Sequence, residues 1–157
     1  MRKLSLGHVW MFLAVCVSLG VGGWSAAHAD EDERHGEHAQ RIVIHLGHAT
    51  DDIHSADMAL HMGTNLAKHG ARVTMFLDRE GVRLADTRLP IDALTWAENN
   101  LGADYDAFIA AGGRILVCPG CAGNQSLSAE LLREGSVMGT PDSVAEVLLA
   151  ASKVIDF

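Results

Sequence analysis

Basic residues and cysteines are both scarce in this sequence. Lys and Arg together number 12 against 20 Asp and Glu, so the formal net charge is −8. A negatively charged surface repels the phosphates of nucleic acids and anionic lipid headgroups, so we expect neither to be a partner. The chain has no internal repeat, and its one low-complexity stretch is a short acidic segment near the N-terminus.

The first 29 residues have the three-part layout of a secretory signal peptide. Two basic residues precede the uncharged run VWMFLAVCVSLGVGGW, and the small-residue site AHA follows it. This layout predicts a signal peptide over residues 1–29, cleavage before Asp30, and a periplasmic or secreted protein. An uncleaved membrane anchor is the alternative, because the run is slightly shorter than the ~18 apolar residues that indicate a membrane span.

Cleavage changes both the charge and the cysteine content. It removes Arg2, Lys3 and no acidic residue, so 10 basic residues remain against 20 acidic ones and the net charge moves from −8 to −10. The roughly 128 residues left are enough for one domain with a hydrophobic core. Cys16 is removed with the signal segment, which leaves Cys118 and Cys121. A disulfide can persist outside the cytoplasm, and a lone C-x-x-C pair cannot complete a four-cysteine zinc site.

Residues 30–40, DEDERHGEHAQ, carry six charges and no large apolar side chain. This composition predicts a disordered, solvated tail. His35 and His38 lie within it at a spacing suited to a metal ion, but a flexible segment gives no fixed geometry. We therefore expect no defined metal site in the tail. The folded domain is expected to span residues 41–157.

Apolar segments of two kinds alternate along that domain. RIVIHLG and ARVTMFLD are β-branched runs closed by Gly or Asp. Between them, apolar and small residues recur at helical spacing, and Gly70 follows as a C-terminal cap. The three segments together indicate a βαβ unit. Further along, Asp104 is predicted to cap a short helix, and Thr140-Pro141 to begin another. We predict strands at residues 41–47, 71–78, 114–118 and 153–157, and helices at 53–69, 92–101, 105–113, 121–133 and 142–152. The alternation, and the absence of a hairpin signal, favour a mainly parallel sheet with helices on both faces.

The stretch ILVCPGCAGN contains the strongest chemical signal. Cys118 is predicted at the carboxyl end of a strand and Cys121 near the start of the next helix, where open α/β sheets bind their ligands. The unpaired amides of that helix favour a thiolate, Pro119 fixes the turn, and Gly120 leaves room beside the sulfur. We predict a reactive pair in which Cys118 is the more nucleophilic sulfur and Cys121 its partner. The alternative is an inert buried pair acting as small apolar side chains.

Thioredoxin is a poor match, since no Trp precedes the motif and only 36 residues follow Cys121. Several stretches taken together do resemble another family. They are RIVIHLGHATDDIHSADMALHMGTNLAKHGARVTMFLDREGVRLA, with an acidic loop after the first strand and Gly-Val after the second, then GGRILVCPGCAGNQSL and VAEVLLAASKVIDF. In content, order and spacing they resemble the DsrE/DsrF-like family of small sulfur-relay proteins. The resemblance covers residues 41–157.

This resemblance implies a three-layer α/β/α fold with about five strands in a flavodoxin-like arrangement, and assembly into homotrimers or hexamers. It also implies a sulfurtransferase-like carrier that holds sulfur as a persulfide. The sulfur-carrying cysteine of the family maps onto Cys118. Cys121 then becomes a second thiol that resolves the persulfide or closes a disulfide. The partners implied are sulfur donor and acceptor proteins or small thiols.

The histidines support a rival hypothesis, in which the protein binds a metal. His48 lies with Asp51 and Asp52 on a loop after a strand, so Cys118, Cys121 and His48 form a candidate copper or zinc site. Asp57 and His61, at i and i+4, form a weaker candidate, because polar faces of helices are usually only solvated. The third hypothesis is a non-catalytic oligomeric binding module whose cysteines are incidental.

Overall fold

The computed structural model of the protein describes residues 39–157, which belong to one compact unit. The predicted signal peptide, and the predicted tail up to residue 38, lie outside the described residues. The strands are β1 (Arg41–Leu46), β2 (Arg72–Leu77), β3 (Thr95–Trp96), β4 (Asn99–Asn100), β5 (Arg114–Val117), β6 (Ser136–Met138) and β7 (Lys153–Asp156). The α-helices are α1 (Ile53–Lys68), α2 (Leu101–Ala110), α3 (Pro119–Asn124) and α4 (Pro141–Leu149).

A five-stranded sheet in the order β6-β5-β2-β1-β7 forms the centre of the domain. Its four pairings are all parallel; for example, Val43 of β1 lies opposite Thr74 of β2 and Val154 of β7. Because parallel strands are covered on both faces, their sequences are continuous apolar runs rather than alternating ones. The predicted α/β fold with a mainly parallel sheet of about five strands is confirmed.

The main core lies on the sheet face that contacts α1 and α2. Alternate residues of the central strands point into it, and all are buried: Ile42, Ile44, Leu46, Val73, Met75, Leu77, Ile115 and Val117. Leu60 of α1 and Phe108 of α2 are fully buried against them. The start of α1 is fixed by Asp52, whose carboxylate accepts hydrogen bonds from the backbone and hydroxyl of Ser55. Caps of this kind stabilise a helix by roughly 1 kcal/mol.

α4 lies over the opposite sheet face. Val43 and Leu116 point to this face, and Val147 of α4 lines cavities beside them. Thr140 and Ser143 form a capping box with Pro141 in the first turn, so the predicted start of this helix is confirmed. No residue of α4 is buried. The second face is therefore packed much less fully than the first.

The predicted helix over residues 92–101 is wrong. A 3-10 turn at Ile91–Ala93 leads into an antiparallel β3-β4 hairpin, which the sequence also did not signal. Its turn uses Ala97 at a φ of 51° instead of the glycine or asparagine that usually marks a hairpin. The cap of α2 is Asn100, whose side chain accepts from the Ala103 amide and donates to the Asp92 carbonyl. Asp104, the predicted cap, lies in the first turn of α2.

The predicted helix over residues 121–133 is also wrong. α3 ends at Asn124, Ser126 takes a φ of 51°, and the Leu127 amide donates back to the Ala122 carbonyl. Leu127 is buried, so burial of this side chain accompanies the end of the helix. The following segment is anchored by Arg133, whose guanidinium donates to the carbonyls of Leu84, Asp86 and Leu89. It leads into β6, a strand of three residues that was not predicted.

Candidate functional site

Cys118 lies at the carboxyl end of β5, as the sequence predicted, and it also caps α3. Its amide donates to the Leu77 carbonyl at 2.9 Å, which joins it to the end of the neighbouring strand β2. The CPGC motif therefore lies at the carboxyl edge of the parallel sheet. Open α/β sheets place their binding crevices at this edge.

The two cysteines are in direct contact. The Cys121 amide donates to Cys118 Sγ at 3.4 Å, and both thiols are free and half-buried. Between them, Gly120 is exposed, and a Cβ built on it would have no neighbour within 4 Å. The motif thus combines a hydrogen-bonded sulfur with open space over its turn.

Burial raises the pKa of the Cys121 thiol, and its hydrogen bond with the Cys118 thiol raises it further. The negative charge of Asp78 acts in the same direction, while a hydrogen bond from the Arg79 backbone opposes the rise. Cys121 is therefore held in its protonated form. A raised pKa lowers the fraction of Cys121 that is a thiolate at a given pH, and so lowers its reactivity.

The loop after β2 forms one wall of the site. Arg79 has a φ of 45°, which is uncommon for a residue with a side chain and marks local strain. Its guanidinium packs on Gly47, where a side chain would overlap it, and its Nε lies 3.1 Å from Asp78 Oδ1. In sequence, Arg114 is the nearest basic residue to Cys118. Folding brings the backbone of Arg79 to Cys121, a contact that no local sequence signal indicates.

Glu80 connects three loops at this edge. It accepts from the Thr50 hydroxyl at 2.8 Å and from Gln125 Nε2 at 3.1 Å. Thr50 belongs to the loop after β1, and Gln125 directly follows α3. These bonds hold the loops after β1 and β2 against the helix that begins at Cys118.

His48 is not brought together with the two cysteines. Its Nδ1 lies 2.8 Å from Asp51 Oδ2. Within residues 39–157, no cluster of three metal-ligating side chains includes Cys118 or Cys121. The geometry therefore does not support the candidate copper or zinc site of Cys118, Cys121 and His48.

A different histidine lies at the carboxyl edge of the sheet. His45 Nε2 is 3.0 Å from Asp78 Oδ1, and its Nδ1 is 2.6 Å from Asp156 Oδ1. Its ring stacks on Phe76, with the centroids 5.8 Å apart. Strand alternation could have indicated that His45 faces away from the main core. Its pairing with two aspartates depends on the sheet order, which places β1 between β2 and β7.

The weaker predicted pair, Asp57 and His61, is brought together, and Asp104 of α2 joins it. Burial raises the pKa of Asp104, and the nearby carboxylate of Asp57 contributes to the rise against the opposing effect of His61. His54 is in a separate contact with Trp96, where the two rings stack 4.5 Å apart. No sequence signal links residue 104 to residue 57, because the link depends on how the two helices pack.

Comparison with known proteins gives a likeness at the level of structure. No protein-family model matches the sequence, and no curated protein matches it. The chain is similar to the ychN protein from E. coli, with a TM-score of 0.62 and 23% identity over 75% of this chain and 99% of that one. It is also similar to the protein of unknown function MTH1491 from Methanobacterium thermoautotrophicum, with a TM-score of 0.56 and 14% identity over 75% and 99% of the two chains.

A third similar structure is the conserved protein of unknown function BT1422 from Bacteroides thetaiotaomicron. Its TM-score is 0.51, with 15% identity over 74% of this chain and 95% of that one. At such identities the likeness shows a shared fold. YchN has a DsrE/DsrF-like fold, so the resemblance inferred from the sequence is supported at that level. No helix in residues 39–157 combines the length and apolar character that crossing a membrane requires.

Proposed function

We propose that the protein is a thiol-based sulfur carrier in which Cys118 accepts sulfur as a persulfide and Cys121 is its partner thiol. The observation that carries the proposal is the contact between the two thiols at the carboxyl edge of the sheet. Cys118 Sγ accepts the Cys121 amide, and Cys121 is held protonated by burial and by Cys118. The DsrE/DsrF-like resemblance supports the same chemistry.

The transfer is an exchange at sulfur. The Cys118 thiolate attacks the terminal sulfur of a donor persulfide, so a new sulfur–sulfur bond forms on Cys118 and the donor leaves as a thiolate. An acceptor thiolate removes the outer sulfur by the same reaction. When no acceptor is present, the Cys121 thiolate attacks Cys118 Sγ instead. That step forms the Cys118–Cys121 disulfide and releases hydrosulfide.

The surroundings suit such an exchange. A sulfur donor must approach Cys118 along the line of the breaking bond, and beside it a Cβ placed on the exposed Gly120 would meet no atom within 4 Å. Cys121 is half-buried and its thiolate is disfavoured, which disfavours the intramolecular release of hydrosulfide. Slow release suits a carrier, because its cargo must persist until the acceptor arrives.

Intact-mass spectrometry tests the proposal. The reduced protein is incubated with a small-molecule persulfide, desalted, and measured before and after treatment with a reductant. We expect a mass gain of one sulfur atom per chain that the reductant removes. Stoichiometric retention of metal with no sulfur adduct would contradict the carrier and support a metalloprotein, whereas neither adduct nor metal would support a binding module.

The weakly packed sheet face supports a further part of the proposal, assembly into a homotrimer or hexamer. Apolar side chains on α4, β6 and β7 are exposed there: Val137 by 54%, Leu148 by 39%, Leu149 by 87% and Val154 by 50%. Exposed apolar surface of this kind is typical of a contact between subunits. It provides a physical reason for self-association that does not depend on the resemblance.

Light scattering at micromolar concentration should therefore give the mass of a trimer or hexamer. Leu149→Lys should lower that mass, because the subunit contact would then have to bury a lysine in place of the most exposed of these apolar side chains. Met58→Lys is the matched control, since Met58 is a 40% exposed apolar residue on α1. A monomer in the unmodified protein would contradict the assembly. Dissociation by the control alone would place the subunit contact on α1 instead.

A further inference from the structure

Three metal-ligating side chains meet where α1 contacts α2, apart from the cysteines. Asp57 and His61 lie one turn apart on α1, and Asp104 projects from the first turn of α2. Asp57 is only 2% exposed, whereas the side chain of His61 is 44% exposed. The ring of His61 therefore reaches solvent, while its Nε2 atom is buried with Asp57.

Hydrogen bonds within the protein do not satisfy this cluster. His61 Nε2 is 3.6 Å from Asp57 Oδ1 and 3.3 Å from Asp104 Oδ1, whereas a charged N–H···O bond is about 2.7–2.9 Å long. Asp57 Oδ1, His61 Nε2 and Asp104 Oδ2 are all buried atoms without a hydrogen-bond partner. A buried polar atom is costly to leave unpaired, so unpaired atoms directed at one another point to a bound ligand.

We propose that Asp57, His61 and Asp104 bind a Zn²⁺ ion. Zinc bonds of about 2.0–2.1 Å to imidazole nitrogen and carboxylate oxygen place neighbouring tetrahedral ligands about 3.3–3.4 Å apart. The two separations at His61 Nε2, 3.3 and 3.6 Å, match that spacing. The ligand atoms of all three residues lie within 4.8 Å of one another, close enough for the three to share one ion.

Charge and ligand type support a divalent ion. Two carboxylates, one of them fully buried, balance the charge of a dication, and a neutral imidazole completes the three protein ligands. Nitrogen and oxygen donors suit Zn²⁺, whereas Cu⁺ prefers the thiolates of the separate cysteine pair. Three protein ligands leave the fourth tetrahedral position of zinc for a water molecule. The ion would also join α1 to α2, since each helix supplies a ligand.

Equilibrium dialysis against Zn²⁺, with metal analysis of the protein, tests the site. We expect one bound zinc per chain, with binding weakened more than about 100-fold in His61→Gln and Asp104→Asn, because each removes a direct ligand rather than an outer-shell group. Asp106→Asn is the matched control, since it makes the same change at an exposed position of α2. It should bind zinc as the unmodified protein does.

Two other variants test competing locations for the ion. The double variant Cys118→Ser, Cys121→Ser tests the cysteine pair and should keep the zinc. The double variant His35→Gln, His38→Gln tests the N-terminal segment and should keep it too. Loss of zinc from either one, or retention of zinc by Asp104→Asn, would overturn the proposal. Thermal unfolding controls for misfolding. Zinc should raise the Tm of the unmodified protein and of Asp106→Asn, and leave unchanged the Tm of a cooperatively folded Asp104→Asn.

Discussion

Replacing Cys118 with serine is expected to abolish persulfide loading, whereas replacing Cys121 with serine is expected to preserve it. A serine hydroxyl is not a thiolate nucleophile at neutral pH, so no sulfur can be accepted at residue 118. The fold should survive, because serine is among the preferred helix N-caps and can accept the Cys121 amide as Cys118 does. In Cys121→Ser the sulfur adduct should last longer, since the thiol that releases hydrosulfide is absent.

Alkylation of the reduced protein provides the second measurement for these roles. At limiting reagent and mildly acidic pH, peptide mapping should find Cys118 labelled before Cys121. The pKa of Cys121 is raised, so its thiolate forms only at a higher pH than the thiolate of an ordinary cysteine. Its rate of alkylation should therefore also rise only at that higher pH. Earlier labelling of Cys121 would reverse the two roles, and equally slow labelling of both would indicate an inert pair.

Replacing Gly81 with alanine is expected to destabilise the domain by about 3 kcal/mol, the upper end of the usual range for an overpacked site. A Cβ on Gly81 would overlap the carbonyl oxygen of Leu46 and lie 3.0 Å from the Leu46 carbonyl carbon. These atoms belong to β1, which is hydrogen-bonded on both sides and cannot move away easily. The Gly81 amide also donates to the Gly47 carbonyl at 3.2 Å, so a shift would break that bond.

The same substitution should disturb the cysteine site, because Gly81 follows the loop segment that contacts Cys121 and Gln125. Urea denaturation measures the loss of stability, and the alkylation rate of Cys121 reports the displacement of the loop. Gly120→Ala is the matched control, since its Cβ would have no neighbour within 4 Å. We expect the control to change stability by less than about 0.5 kcal/mol. Equal stability of Gly81→Ala and the control would show that β1 accommodates the added methyl group.

Local sequence signals were sufficient where one short segment fixes its own structure. The β-branched runs that became β1, β2 and β5 needed only burial on both faces to become parallel strands. The last strand, β7, and the capping box at Thr140 were likewise predictable from a few neighbouring residues. The position of Cys118 followed from these assignments, because a strand that ends at Val117 leaves the next residue at the carboxyl edge of the sheet.

Errors arose where distant contacts override local preference. Residues 92–101 have a helical pattern, yet Asn100 bonds to Asp92 and begins a helix ten residues long after a hairpin. Residues 121–133 do not continue as one helix, because Leu127 is buried and Arg133 binds carbonyls from the segment before the hairpin. A pattern within ten residues contains no information about partners 40 residues away.

The sequence by itself therefore determined the α/β class, the parallel sheet and the place of the CPGC motif, because periodicity and capping act within a few residues. The tertiary structure alone decided what surrounds the motif: the strained backbone of Arg79, the contacts of Glu80 and the separation of His48 from the cysteines. It also decided that Asp104 joins Asp57 and His61. Each of these depends on the order of strands and the packing of helices, which bring together side chains that are far apart along the chain.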